Sequence, residues 1–396
     1  MLLSILGVCR GANSGAGDGD KLELDRAENK RDNRQKRSFR AKLRDVMSGP
    51  DASPIDALIL ALPETAGSAL YGMVDVLAAT GTLWRELVGE RAGPRLIAPR
   101  IVSRSRKPFR CGNGIPVSPE LAIANASAPE ILILPELWLA PTDDLHERYD
   151  DLKDWIRQCY RTGSTIYTAC SGSILLAATG LLDGREATSH WGYQDLFRKS
   201  FPSVRFNPAP NLVIADPSAR IVTAGGTTSW HDLALHIISR HCSPGEALRI
   251  AKVYLLKWHS EGQLPYAGLV RRQPHADSMV RRAEDWLEVH FREAHAVAGV
   301  VAACGVPERS LKRRFKIATG STLMEHVQNL RVEEAKRLLE NDNASADEIA
   351  AIVGYENTAF FRRLFKRCTG LTPSAYRRMF QPPPGGRATH HAAIAS

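Results

Sequence analysis

The sequence predicts two structured parts: a mainly parallel α/β domain, then an all-α domain built on two helix-turn-helix units. Three observations carry this. Short apolar or β-branched runs alternate with helical stretches between positions 55 and 240. A segment starting at Phe315 nearly repeats itself fifty positions later, and each copy is preceded by a short apolar helix ending in glycine. The alternation implies a parallel sheet covered by helices on both faces. The self-similar pair implies a duplicated supersecondary unit.

A chain of 396 residues has room for two or three domains, each with its own core. The first 54 residues are rich in Gly, Ser, Asp and Arg with little periodicity, and read as a disordered tail. Within that tail, 31–44 fits a short basic helix adding nonspecific DNA affinity, a solvated stretch, or residues ahead of the true start. Leu2 to Val8 is apolar but lacks a preceding basic region, so no signal peptide is expected.

In the region 55–240 the expected strands are 57–62, 96–102, 131–134, 165–169 and 221–224. Ligands in such folds bind beyond the carboxyl ends of the strands. One strand end is distinctive: 165–169 runs into Cys170-Ser171-Gly172 and then directly into a helix over 173–179. A thiol on a sharp strand-to-helix turn is exposed at the top of the sheet, and the helix N-terminus should lower its pKa. His190 follows, and a thiol with an imidazole is the basic layout of a nucleophile and its base. The expected walls of this site are Cys170, Ser171, His190, Trp191, Thr227, Thr228 and Trp230, with Glu136 and Trp138 from the end of the 131–134 strand. Aromatics with an acid suit an amine or a quaternary ammonium.

Residues 241–276 connect the two parts, with an amphipathic helix over 244–259, a break at 260–266 and a basic linker at 271–274. That helix can pack on its own domain or pair two subunits.

In the region 277–380, the run 300–306 reads as an apolar helix closed at Gly305, and Pro307 suits the first turn of a helix over 308–318. Leu311 and Phe315 share its inner face, leaving Arg309, Lys312, Arg313 and Lys316 outside. The second copy repeats the plan: a helix over 347–353, Gly354, then a helix over 358–368 with Phe361 and Phe365 inward and Arg362, Arg363 and Lys366 outward. Helix, glycine turn and basic helix make a helix-turn-helix, whose second helix enters the major groove. A continuous helix over 322–340 joins the units. At 1.5 Å per residue it spans roughly 28 Å, close to the ~34 Å turn of B-DNA. The seven basic residues are the expected DNA contacts, although cations here can touch phosphates alone. Residues 381–396 read as a flexible tail.

Positions 277–380 resemble the AraC/XylS family of transcription regulators. The resemblance rests on Arg331-Val332-Glu333-Glu334-Ala335-Lys336-Arg337-Leu338-Leu339, on Gly354-Tyr355-Glu356-Asn357 and on Gly370-Leu371-Thr372-Pro373-Ser374-Ala375-Tyr376-Arg377. Positions 55–240 resemble the ThiJ/PfpI branch of the class I glutamine amidotransferase-like superfamily, a flavodoxin-like sandwich. The motifs there are Ala169-Cys170-Ser171-Gly172, Gly180-Leu181-Leu182-Asp183-Gly184-Arg185 and Ala187-Thr188-Ser189-His190-Trp191. The combination resembles the GlxA-like regulators. In that superfamily's enzymes an acid from the helix after the first strand touches the cysteine. Here Ala69 falls at that position, and Glu64 and Asp75 are only nearby.

The Cys170 site therefore has three readings: a small-molecule sensor pocket, a buried structural turn, or the centre of a cysteine-dependent amidase or hydrolase. We adopt the first, without catalysis. The expected protein is a ligand-responsive transcription regulator, an activator, working as a homodimer on promoter DNA in the cytoplasm, with RNA polymerase as a further candidate partner. An architectural DNA binder without effector is a third class. The net charge of +9 favours a polyanionic partner. Seven cysteines without a C-x-x-C pair or a zinc-spaced His/Cys cluster suit a reducing compartment, and neither metal nor cofactor is expected. No apolar run approaches the ~18 residues of a membrane span.

Overall fold

The structure, a computed structural model, describes residues 53–140, 148–268 and 276–381. The basic stretch 31–44, the linker 271–274 and the tail beyond 381 lie outside the described residues. Everything described below belongs to one unit beginning at Ile55.

The α/β part is built on a seven-stranded sheet ordered β10-β11-β7-β6-β1-β2-β5. Its strands are β1 (Ile55–Leu60), β2 (Ile97–Ser103), β5 (Leu121–Ala122), β6 (Ile131–Leu134), β7 (Thr165–Ala169), β10 (Leu212–Ile214) and β11 (Ile221–Ala224). All neighbours are parallel except the edge pair β10 and β11. Two short pairs stand apart: β3 (Phe109–Arg110) with β4 (Pro116–Val117), and β8 (Glu186–Ala187) with β9 (Arg205–Phe206).

Alternation along β1 creates two cores. Ala57 and Ile59 pack with helices α1 (Gly67–Ala78), α6 (Trp230–His241) and α7 (Pro244–Val253). Leu58 and Leu60 face the opposite side, with α3 (Asp150–Arg161), α4 (Gly172–Ala178) and α5 (Gln194–Ser200). A fully buried Leu or Ile is worth about 1.5–3 kcal/mol, so this central strand holds both helical layers at once. A short helix, α2 (Leu83–Leu87), follows α1. The connecting helix ends earlier than its pattern predicts. It stops at Val253, and Leu255, inside the span expected to be helical, is 88% exposed with φ +54. A left-handed residue cannot continue a helix, so the amphipathic pattern beyond it lines an irregular segment instead.

The helical part comprises α8 (Ser278–His290), α9 (Ala296–Cys304), α10 (Glu308–Thr319), α11 (Leu323–Asn341), α12 (Ala346–Ile352), α13 (Thr358–Thr369) and α14 (Pro373–Phe380). It holds two cores. Phe315 and Leu311 of α10 sit in the first with Leu323 and Val327, while Phe361 and Phe365 of α13 sit in the second with Val332, Leu338 and Leu339. The long helix α11 thus contributes its N-terminal half to one core and its C-terminal half to the other. Its start is fixed by a capping box: Thr322 Oγ1 accepts from the Glu325 N–H, and the Glu325 carboxylate accepts from the Thr322 N–H. Ser345 and Glu348 do the same for α12. Gly305 and Gly354, at φ +66 and +92, make the two turns. A side chain on Gly354 would collide with the Arg292 carbonyl, so glycine is required there twice over. Pro307 is the N-cap of α10 rather than part of its first turn.

Candidate effector pocket and nucleic-acid interface

Cys170 sits at the carboxyl end of β7 with φ +51, between a buried strand and α4. The conformation is held from all sides. Its N–H donates to the Ala224 carbonyl at 3.1 Å, and its own carbonyl accepts from the Ser189 and Ser173 hydroxyls at 2.8 and 2.7 Å. Ser171 Oγ accepts from the Leu137 N–H at 2.8 Å, joining the ends of β6 and β7. At Gly172 the Leu134 carbonyl lies where a Cβ would stand, which is why only glycine can open α4 here.

The electrostatics of the thiol reverse the expectation of a lowered pKa. Cys170 is 2% exposed, and burial, with the Glu136 carboxylate beside it, pushes the thiol upward. Its Sγ lies 3.6 Å from Glu136 Oε1. The N-terminus of a seven-residue helix does not offset both effects. Glu136 is itself raised, chiefly by desolvation, against hydrogen bonds from Thr227 and Cys170. The Thr227 hydroxyl donates to its Oε1 at 2.9 Å. The acid missing from the position of Ala69 is thus supplied by a different strand end, and the two substitutes are engaged elsewhere. Glu64 pairs with Arg148, and Asp75 lines another cavity.

The described hydrogen bonds do not join His190 to Cys170. Its Nδ1 accepts from the Gly192 N–H at 3.0 Å, and burial lowers its pKa. The ring lies tilted against Trp191, 4.9 Å between centroids, and faces Gly226. Thr227 and Thr228 are exposed on the loop after β11, and Trp138 is 58% exposed at the outer rim. Trp230 leaves the set. Its ring packs on Gly72 of α1 and lines a separate cavity of about 500 Å³ with Asp75, His231, Tyr254 and Lys257. The loop turns into α6 at this residue, which carries its side chain into the helical layer instead of toward Cys170.

One residue of the connecting segment joins the site unpredicted. Gln263 is 3% exposed, and its Nε2 donates to Thr188 Oγ1, the Ser189 carbonyl and the Pro210 carbonyl at 3.1, 2.9 and 3.1 Å. It occupies the space that a Cβ on Gly225 would need. From the same segment the Ala267 carbonyl accepts from Lys336 Nζ of α11 at 2.5 Å, and the Tyr266 ring meets Phe380 of α14 at 5.4 Å. The site's edge and the helical part are therefore only a few residues apart along the chain.

In that helical part Arg309, Lys312, Arg313 and Lys316 are exposed on α10, and Arg362, Arg363 and Lys366 on α13. Lys312 pairs with Glu308 of its own helix, Lys316 lies 3.8 Å from Glu325, and Arg362 pairs with Asp347 at 2.9 Å. Arg309, Arg313, Arg363 and Lys366 have no ion-pair partner among the described residues. Arg314, on the same helix, is instead committed to Asp277 at 2.7 Å, where it anchors the N-cap of α8.

Comparison with known proteins follows this division. The DJ-1/PfpI family matches residues 75–240 and a helix-turn-helix domain matches residues 300–379. This chain joins a DJ-1/PfpI domain to an AraC-type helix-turn-helix domain. It is a transcriptional regulator of this two-domain plan, similar to proteins named GlxA and CdhR. The chain is 26% identical to the HTH-type transcriptional regulator CdhR of Pseudomonas aeruginosa, over 73% of this chain and 86% of that one. It is 29% identical to the HTH-type transcriptional regulator GlxA of Rhizobium meliloti, over 56% of this chain and 68% of that one. Drosophila melanogaster DJ-1beta aligns over 52% of this chain and all of its own, with 16% identity and a TM-score of 0.41. No helix among the described residues is long and apolar enough to cross a membrane.

Proposed function

We propose that this regulator is a ligand-responsive activator: a small metabolite binds at the carboxyl end of the sheet around Cys170, Glu136 and His190, and the helical part reads promoter DNA through α10 and α13. The observation that carries this reading is the bridge Gln263 to Ala267. It inserts one side chain beside the Cys170 site and hands a carbonyl to Lys336 on the helix joining the two helix-turn-helix units. A ligand shifts an equilibrium only by its differential affinity for two states. A ligand that alters the seating of Gln263 has such a lever on the DNA-binding helices. The working form is a homodimer in the cytoplasm, where promoter half-sites mirror its two-fold symmetry.

The Cys170 site acts without catalysis. The thiol is buried, protonated and faced by an acid, while the imidazole that would serve as its base accepts a backbone N–H. The positive φ at Cys170 is the one feature favouring the hydrolase reading, because strained strand-to-helix turns are where such nucleophiles sit.

The test is selection of DNA sites from a random duplex pool with the full chain, followed by fluorescence anisotropy on the selected site with and without a metabolite panel. One or more metabolites should change the affinity, and Cys170→Ala or Glu136→Gln should blunt that change. Sequence-independent binding would overturn the regulator reading. Amide turnover abolished by Cys170→Ala would favour the hydrolase.

A further inference from the structure

Resting on the effector-pocket reading above, we infer that the ligand is a protonated amine carrying N–H donors beside an oxygen acceptor, held between Glu136 and Gln263 with His190 on its oxygen, and that it excludes quaternary ammonium compounds. The reasoning starts from Gln263. Two of the three groups that its amide nitrogen touches are backbone carbonyls, which only accept, so the amide cannot be turned round. Its Oε1 therefore faces away from them, 3.5 Å from where a Cβ on Gly226 would stand, and this buried oxygen has no hydrogen-bond partner among the described residues. The next residue, Thr227, donates to Glu136 Oε1, and the other oxygen of that carboxylate, Oε2, is likewise buried and without a partner among the described residues. Two acceptors, one of them a carboxylate, thus flank the Gly226–Thr227 step.

His190 supplies the complement. Because its Nδ1 accepts from the Gly192 N–H, the neutral ring carries its proton on Nε2. That nitrogen lies 4.0 Å from the same Gly226 Cβ position, so a donor faces the step from the third side. Two acceptors and one donor match an ammonium with an adjacent carboxylate or hydroxyl, the polar head of an amino acid or amino alcohol. A trimethylammonium group donates nothing. It would leave both buried oxygens unpaired, a penalty that sites built for hydrogen-bonding ligands use to reject analogues.

The experiment is thermal unfolding of the full chain with L-amino acids and amino alcohols, each measured beside its N-trimethyl counterpart. At least one N–H-bearing compound should raise the midpoint by several degrees, its methylated partner should not, and Glu136→Gln and Gln263→Met should each weaken binding by about tenfold or more. Two variants are used because Gln263 also holds three backbone and side-chain partners, whereas Glu136→Gln preserves shape. An equal or larger shift with a trimethyl compound, or a shift undiminished in Glu136→Gln, would overturn the inference while leaving a sensor pocket in place. A panel without any shift would overturn the inference and the pocket together, leaving site-specific DNA binding to be judged on its own.

Discussion

The thiol of Cys170 and the carboxylate of Glu136 stand 3.6 Å apart at the ends of adjacent parallel strands, β7 and β6. The acid comes from a neighbouring strand end and is itself desolvated, so the pair favours a shared proton over a thiolate.

Cys170 in the folded protein should consequently react with iodoacetamide far more slowly than the same cysteine in urea, followed by peptide mass spectrometry at mildly alkaline pH. Glu136→Gln removes the neighbouring charge and should accelerate labelling only slightly, because burial is the larger cause. Rapid labelling of the native chain would make the thiol a nucleophile after all.

Arg313→Ala and Arg363→Ala should each weaken DNA binding and lower the slope of log affinity against log salt by about one if each touches a phosphate. Lys312→Ala should cost less, because Glu308 already holds that ammonium. Affinities unchanged across a salt series would remove α10 or α13 from the interface.

His236 and His241 stand on α6 itself, half-buried beside Arg240, and are pushed down to about 4 and about 3, desolvation being the larger cause. Their unfolded value is near 6.5, so the folded state is stabilised above it and loses that stabilisation as pH falls toward the folded values. The unfolding free energy from urea titrations should drop between pH 6 and pH 4 by up to about 2.7 kcal/mol per pH unit for two protons. Glu136, raised on folding, acts in the opposite sense. His241→Asn should flatten the profile, and a profile as steep as the parent's would assign the acid sensitivity to other groups.

Lys336→Met removes the donor to the Ala267 carbonyl while keeping the stem. We expect effector-induced thermal stabilisation to survive and the effector-induced change in DNA affinity to shrink severalfold. Full coupling in this variant would place the signal route elsewhere.

Much of this architecture could be read from the chain because its causes are local. The strands at 131–134, 165–169 and 221–224 match the structure residue for residue, since a run buried on both faces is bounded by the turn residues that end it. The basic faces of α10 and α13 followed from Leu311 and Phe315, and from Phe361 and Phe365, spaced to share one side of a helix. What escaped depended on which segments meet. Glu136 was visible as a wall but not as the thiol's partner, because only the β6–β7 pairing brings their ends together. Gln263 carries no local signal at all. A glutamine in a helix-breaking stretch looks solvated until the missing side chains of Gly225 and Gly226 are seen to leave room for it. Trp230 misled because the loop that bears it turns into a helix one residue too early to aim it at the site.

Arg331 of α11 is 7% exposed, and its guanidinium donates to the carbonyls of Phe291, Glu293 and Gly354 at 2.6, 2.7 and 2.9 Å while lying 4.7 Å over the Tyr355 ring. The first two carbonyls precede the first helix-turn-helix and the third is the turn of the second. The two helix-turn-helix units are thus set like the jaws of a gauge locked at one opening. If α10 and α13 both read DNA as proposed, a promoter must present both subsites at that gap and on one face of the duplex. Adding half a helical turn of DNA between them should silence one jaw entirely, and no effector could reopen it. Under the proposed control by a metabolite, binding would have to tilt or release the whole gauge.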